Sequence, residues 1–221
     1  MAARLAVIIP TLDEAGRIRG ALEALAPLRA QGHQVIVVDG GSADATRELA
    51  EPLCDRVVSS ARGRALQMNC GARHASGDAL VFLHVDTLLP PDGDLLIDKA
   101  LENRWWGRFD VEIEGRPRLL KVVAWAMSLR SRLSGIATGD QAIFVRREAF
   151  PGFPEIALME DVAFSATMKR ASAPACLRAR AQTSGRRWEG RGVLRTVWLM
   201  WRLRLAFALG ADPARLAERY D

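Results

Sequence analysis

The chain has 221 residues, 49% hydrophobic and 26% charged, an ordinary balance for one globular α/β domain with a sizeable core. Its 31 Lys and Arg against 26 Asp and Glu give a formal charge of +5, and arginine dominates, much of it after position 100. That balance suits phosphates or acidic lipids; with no single-strand stacking platform and no recognition-helix signature, nucleic-acid binding is not expected.

Cys54, Cys70 and Cys176 are far apart and form no C-x-x-C spacing, which argues against structural zinc and a disulfide framework and suits a reducing cytoplasm. Met1-Ala2-Ala3-Arg4 leads straight into a strand, with no apolar signal segment. No run of about 20 uncharged apolar residues predicts a spanning helix.

Leu5–Ile9 reads as a short buried strand that Pro10 ends, and Ile18–Leu28 has helical spacing at Ile18, Leu22 and Leu25. Gln34–Val38 is a second buried strand. Ser42 is an N-cap for a helix running to about Ala50, with Asp44 in its first turn. Arg56–Ser59 is a short strand, Arg64–Ala75 a helix closed by Ser76-Gly77, and Ala79–Leu83 the fourth strand. Strands alternating with helices predict a parallel sheet with right-handed crossovers over the first hundred residues.

The alternation then weakens. Trp106–Ile113 reads as a half-exposed strand, Arg118–Leu133 as a helix, Gln141–Val145 as a strand and Asp161–Arg170 as a helix opening at a carboxylate pair. Val193–Leu209 is a helix with an imperfect stripe. Arg191, Arg195 and Arg202 fall on one face and Arg204 nearly opposite, so it is either an interfacial membrane helix or a packed helix with snorkelling arginines. No linker divides the chain, so 1–221 is expected as a single domain, with 1–100 the nucleotide-binding half and 101–221 the acceptor half.

Chemistry-bearing residues cluster where strands end, which is where open parallel sheets bind ligands. Val7-Ile8-Ile9-Pro10-Thr11-Leu12-Asp13-Glu14, Val35–Val38 into Asp39, and Leu80–Leu83 into His84-Val85-Asp86 each deliver a carboxylate into a loop. Asp39, before Gly40-Gly41, suits a nucleobase N–H or ribose hydroxyl, and equally a cap on the following turn. His84 and Asp86, two apart in an extended chain, point the same way. Asp86 suits a hard Mg²⁺ or Mn²⁺ ion, whereas His84 reads better as a satisfied strand-end histidine.

Arg62-Gly63-Arg64 opens a helix carrying Gln67 and Asn69 and makes an anion-friendly corner. Glu160-Asp161 offers either a helix cap or a general base. Arg186-Arg187-Trp188, after the turn Thr183-Ser184-Gly185, offers guanidinium forks for a diphosphate and an indole for a sugar ring, or a basic surface turn.

Five segments occur in order: Ile8–Glu14, Val38-Asp39-Gly40-Gly41-Ser42-Ala43-Asp44-Ala45-Thr46, Phe82–Asp86, Gly139-Asp140-Gln141 and Met159-Glu160-Asp161. Together they resemble a family 2 glycosyltransferase with the GT-A fold, an α/β fold with a mostly parallel central sheet flanked by helices. The helix Gly63–Asn69 and the short C-terminus are most similar to a small bacterial subgroup, the radical-SAM/selenodomain-associated transferases.

The resemblance implies that Pro10, Thr11, Glu14 and Asp39 hold a nucleotide, uridine by preference, and that Asp86 is the metal-binding end of a D-x-D motif. It also implies that Asp161 is the base of an inverting transfer. Arg187-Trp188 resembles the end of the Q-x-x-R-W motif of processive synthases, but the spacing from Gln182 departs from that motif and no channel helices accompany it. His84 stands where the family usually has the first Asp of D-x-D, and Gly40 where an Asp often follows Asp39.

The expected activity is a metal-dependent inverting glycosyl transfer from a nucleotide-sugar to a hydroxyl of a small-molecule or lipid acceptor. In it Arg64 and Arg187 steady the diphosphate, and Gly139, Asp140, Gln141, Glu160 and Trp188 border the acceptor and diphosphate. The expected location is the cytoplasm, with peripheral contact at the inner face of the cell membrane. Two rivals are a nucleotidyltransferase making nucleotide-sugars, which should carry a Gly-rich basic loop after the first strand, and a non-catalytic membrane-surface binding protein.

Overall fold

The structure is a computed structural model that describes residues 3–220. The Met1-Ala2 start and the last residue of the expected single domain lie outside it. The elements in chain order are β1 (Leu5–Thr11), α1 (Ile18–Ala24), α2 (Ala26–Ala30), β2 (Gln34–Asp39), α3 (Thr46–Ala50), β3 (Arg56–Ser59), α4 (Arg64–His74), β4 (Ala79–Phe82) and β5 (Thr87–Leu88). The second half adds α5 (Gly93–Leu101), β6 (Trp106–Glu114), α6 (Leu119–Ser134), β7 (Ile143–Arg146), α7 (Glu160–Ala171), β8 (Ala175–Ser184), α8 (Arg186–Arg191), α9 (Val193–Ala208) and α10 (Pro213–Tyr220).

All eight strands form one sheet in the order β3-β2-β1-β4-β7-β6-β8-β5. The block β3-β2-β1-β4 is parallel, as the alternation predicts. Beyond it the sheet is mixed: β7 runs antiparallel to β4 and β6, β8 parallel to β6, and β5 antiparallel to β8.

β1 is buried throughout because both sheet faces are covered. Leu5, Val7 and Ile9 join one core, Ala6 and Ile8 the other, as the two-residue strand period requires. On the second face α4 packs very close. A methyl group on Gly71 would fall 2.4 Å from Ile8 Cγ2, so only glycine fits there.

Pro10 does not end β1, which pairs through Thr11 opposite Asp39. Ile8 O accepts Leu83 N on the β4 side. Two residues on, the missing Pro10 N–H points the same way, past the end of β4, where no ladder bond is lost. The helix expected over Ile18–Leu28 breaks at Leu25, because Pro27 sits in the first turn of α2. Ser42 is not a helix N-cap, since α3 starts only at Thr46.

β6 differs from the half-exposed strand its pattern predicts. Arg108 is fully buried beneath α6. It pairs with Asp110, which also accepts Arg132 Nη2 at 2.7 Å, and Arg108 Nη2 donates to Ser128 O at 3.1 Å. The first polar positions of the alternation, Arg108 and Asp110, thus join an ion triad with Arg132, whereas Glu112 and Glu114 turn outward as the pattern predicts. Removing one partner of a buried pair leaves an uncompensated charge. Asp110→Ala is expected to lower unfolding free energy by about 3 kcal/mol, and Arg108→Met by clearly less, as read by urea denaturation. Equal losses would contradict this account.

Candidate active site

Register puts the first strand ends level. Thr11 lies opposite Asp39, and Asp39 opposite Ser59. Gln67, buried on α4, clamps this rim: its Nε2 donates to Thr11 O at 2.7 Å and Val38 O at 2.8 Å. The loops leaving β1 and β2 are cross-tied. Asp13 Oδ1 accepts Ala43 N at 2.8 Å, Ser42 Oγ accepts Asp13 N at 3.0 Å, and Thr46 Oγ1 accepts Glu14 N at 2.7 Å. Asp44 accepts Ala15 N at 3.0 Å, and the Thr46 hydroxyl bond holds its carboxyl below the usual range. These ties fix the Glu14 backbone before any ligand arrives.

Asp39 is almost wholly buried and caps its own turn. Its carboxylate accepts Gly41 N and Ser42 N, each at 3.1 Å, and the Ser42 hydroxyl. Glu14 pairs with Arg17 at the cleft edge. Burial raises the Glu14 carboxyl pKa, Arg17 opposes this, and Asp86 adds to it.

His84 and Asp86 both face the cleft, but for a different reason than an extended chain. Thr87 N donates to His84 O at 3.0 Å, so the pair sits in a tight turn between β4 and β5. His84 Nδ1 lies 3.5 Å from Asp140 Oδ1. Burial works against the His84 imidazolium, yet the Asp140 bond and charge outweigh it and raise the His84 pKa. Burial likewise opposes ionisation of Asp140, but His84, Arg64 and Arg187 hold its carboxyl below the ordinary value. Gly139 packs on the imidazole: a methyl there would fall 2.3 Å from His84 Cε1.

Asp161, in the first turn of α7, accepts Gly139 N at 2.9 Å and Val162 N at 2.7 Å, which fixes its orientation. Next to it, buried Glu160 bonds Arg64 Nε at 3.1 Å and joins the start of α4 to the start of α7. Burial raises the Glu160 pKa against the pull of Arg64. Arg187 stacks 4.3 Å from the Tyr220 ring centroid, and Asp140 and Asp86 are among the charges acting on it.

The result is one cleft of about 740 Å³. Of the residues singled out in the sequence it brings together Glu14, Arg64, Asp86, Gly139, Asp140, Asp161, Arg187 and Trp188 on one lining. Pro10, Thr11, Asp39 and Glu160 lie behind that lining. Gln141 is turned away altogether: it is fully buried, and its side chain bonds Thr138 and Phe109 O, so it builds the Thr138–Gln141 turn instead of bordering an acceptor. Trp188 lines the cleft while packing with Val193 and Val197 on the cluster of Leu120 and Val123.

Among the lining residues to which the sequence assigns no role are three arginines, Arg17, Arg130 and Arg204. Arg204 did carry a signal, since it falls opposite the other arginines of its helix. Arg130 carried none, because a basic residue near a helix C-terminus is ordinary.

Residues 6–104 match the family model described as glycosyl transferase family 2. No curated protein matches the chain. Solved structures with similar folds include TarS residues 1–349 from S. aureus in complex with UDP (18% identity, TM-score 0.63, covering 82% of this chain and 60% of that one). Glucosyl-3-phosphoglycerate synthase from Mycobacterium tuberculosis with Mg²⁺ and UDP is similar at 20% identity and TM-score 0.61, covering 82% and 70%. The mannosyltransferase PcManGT from Pyrobaculum calidifontis with GDP-Man and Mn²⁺ is similar at 25% identity and TM-score 0.65, covering 93% and 61%.

The fold is the GT-A fold of these glycosyltransferases. The match to the family 2 model lies over residues 6–104, the part of the chain that holds the parallel block and its strand-end carboxylates. The chain spans only 60–70% of the length of these three structures.

Gly139→Ala should displace the His84 ring and cost about 1–3 kcal/mol by overpacking. The cost should largely vanish in the double variant Gly139→Ala/His84→Ala, a coupling that a denaturation cycle reads directly. Additive costs would mean that the contact is unimportant.

Proposed function

We propose that the protein is a metal-dependent inverting glycosyltransferase that moves a sugar from a nucleotide-diphosphate sugar to an acceptor hydroxyl. The observation that carries this reading is the shared cleft, in which Asp86, Asp140 and Asp161 face Arg64 and Arg187. Pro10, Thr11, Glu14 and Asp39 would form the nucleotide wall, with uridine the first base to test. Arg64 and Arg187 would carry the diphosphate, guanidinium forks being matched to phosphate oxygens.

Among the described residues no three His, Cys, Asp or Glu side chains form a metal cage. That fits a hard ion held by one or two carboxylates, with diphosphate and water completing its shell. Asp86 would hold Mg²⁺ or Mn²⁺, which neutralises charge on the leaving diphosphate.

Asp161 is the proposed general base. The acceptor oxygen bonds to the anomeric carbon from the face opposite the diphosphate, its proton goes to Asp161, and the sugar–oxygen bond breaks with its electron pair staying on the diphosphate. Asp140 and Gly139 border the acceptor side, and Glu160 holds Arg64 in place. The enzyme is proposed to work in the cytoplasm at the inner face of the membrane. No helix among the described residues is long and apolar enough to cross it, so contact would be peripheral, through the exposed faces of α6 and α9.

Asp161→Asn is expected to keep nucleotide affinity and lose transfer by about 10²- to 10⁴-fold, the range for removing a general base. Full turnover by that variant would sink the assignment. In thermal melting with UDP- or GDP-type ligands and Mn²⁺, saturation at about 100 times the dissociation constant should stabilise the wild type by roughly 2.7 kcal/mol. Asp86→Ala should abolish the Mn²⁺-dependent part of that shift.

A further inference from the structure

The acceptor end of the cleft opens between α6 and α9, which pack on each other where Val193 and Val197 meet Leu120 and Val123. Each helix turns a second apolar stripe outward. On α6 it is Leu119, Val122, Trp125, Leu129 and Leu133; on α9 it is Leu194, Trp198, Trp201 and Leu205. The three tryptophans are 65%, 61% and 69% exposed, far more than a core-packing stripe leaves. Leu119, Val122, Leu194, Trp201 and Leu205 also line the cleft, so the outer surface and the cleft interior form one continuous apolar path.

At the inner end of that path stand Arg130 and Arg204, beside Asp161. Arg130 Nη2 is buried and makes no hydrogen bond. Burial pushes the Arg130 pKa down to about 10, and the Arg204 charge adds to that, so Arg130 remains cationic at neutral pH; burial lowers the Arg204 pKa as well, while Asp161 opposes it. A buried donor without a partner is costly, and Asp161 beside the pair does not satisfy Arg130 Nη2, so a further anionic acceptor suits this corner.

We infer that the acceptor is a lipid-borne amphiphile, an anionic headgroup of the phosphate class on an apolar chain. It enters between α6 and α9 from an acidic bilayer surface and sets its headgroup against Arg130 and Arg204. The inference rests on the glycosyltransferase reading and adds the substrate class to it.

Charge selects the occupant of the outer face. On this outer face the two 16-residue helices expose Lys121, Arg195 and Arg202, and neither helix has an acidic residue. A second copy meeting this face about a twofold axis would set basic against basic, whereas an acidic lipid surface complements it. Tryptophan, with an apolar body and a polar N–H, suits the headgroup boundary. At about 1.5 Å per residue each helix is roughly 24 Å long, enough to lie along the interface.

The test uses the full chain and two probes. In titrations followed by tryptophan fluorescence, decyl phosphate should bind, and inorganic phosphate and decanol should each bind at least about tenfold more weakly, since neither offers both head and chain. Arg130→Gln should weaken decyl phosphate about tenfold, as expected for one charge-assisted hydrogen bond. In flotation, the wild type should bind phosphatidylcholine vesicles containing phosphatidylglycerol and not phosphatidylcholine alone. Trp125→Ser/Trp198→Ser should lose that binding while melting cooperatively.

Equal binding of phosphate and decyl phosphate would overturn the lipid-borne acceptor, as would an unaffected Arg130→Gln. A dimer that the tryptophan substitutions dissociate, with no flotation, would assign the face to a second copy instead. Wild-type melting with UDP or GDP and Mn²⁺ separates the two levels. No nucleotide shift alongside decyl phosphate binding strikes the donor reading and leaves the amphiphile site standing; a nucleotide shift without decyl phosphate binding does the reverse.

Discussion

The site depends on a single alignment, the level ending of β1 and β2 with Thr11 opposite Asp39. In a parallel sheet buried on both faces, register is set by the apolar residues committed to each face, and a slip of one residue would exchange them. Leu5, Val7 and Ile9 on one side and Ala6 and Ile8 on the other leave β1 no alternative. Gln67 then locks the rim by donating to Thr11 O at the end of β1 and to Val38 O one residue before the end of β2, a role open to it because Gly71 lets α4 lie against Ile8 and Val38. A helix interior glycine is unfavourable by roughly 1 kcal/mol relative to alanine, but it brings this carboxamide within reach of the strand ends.

The second half completes the cleft by reversing the sheet. Once β7 pairs antiparallel with β4, the turn that precedes β7, Thr138–Gln141, arrives at the end where β4 delivers His84 and Asp86. Contact there is tight enough to demand Gly139. Asp161 is held by the same turn through Gly139 N, and Glu160 reaches Arg64 on α4. Asp161, the Thr138–Gln141 turn and Arg64 are thereby mechanically joined, although they come from distant parts of the sequence.

Much of the parallel block was legible because its signals are local. Short β-branched runs bounded by turn residues and helices at 3.6 spacing need no long-range information. The carboxylates stood out for the same reason, each at the end of such a run. What sequence could not show is where partners come from. Pro10 looks like a strand terminator until β4 is seen to stop two residues earlier on the side its missing N–H faces. Arg108 and Asp110 look like solvent-facing positions until Arg132 and Ser128 on α6 close over them. Gln141, adjacent to Gly139 and Asp140 in sequence, points the opposite way because its carboxamide satisfies Thr138 and Phe109 O. The strand β8, with its exposed arginines at Arg178 and Arg180, has too few apolar positions to announce itself, and only its pairing with β6 makes it a strand.

The cleft is also divided electrostatically. Glu14 and Asp86 stand together at the end beside β1, where a metal ion and a nucleotide are proposed to sit. Arg130 and Arg204 gather at the far end, beyond Asp161. A carboxylate between a metal-side acidic cluster and a cationic pocket has an asymmetric environment, since the guanidiniums offset the repulsion it would otherwise feel from Asp86 and Asp140. Arg130 and Arg204 stand beside Asp161, and an anionic headgroup held between them would replace bulk water as their counter-charge. Partner groups in a site that excludes water interact more strongly than exposed ones, so an acceptor that brings both an anion and an apolar chain would close the cleft and strengthen the field around the base in the same step.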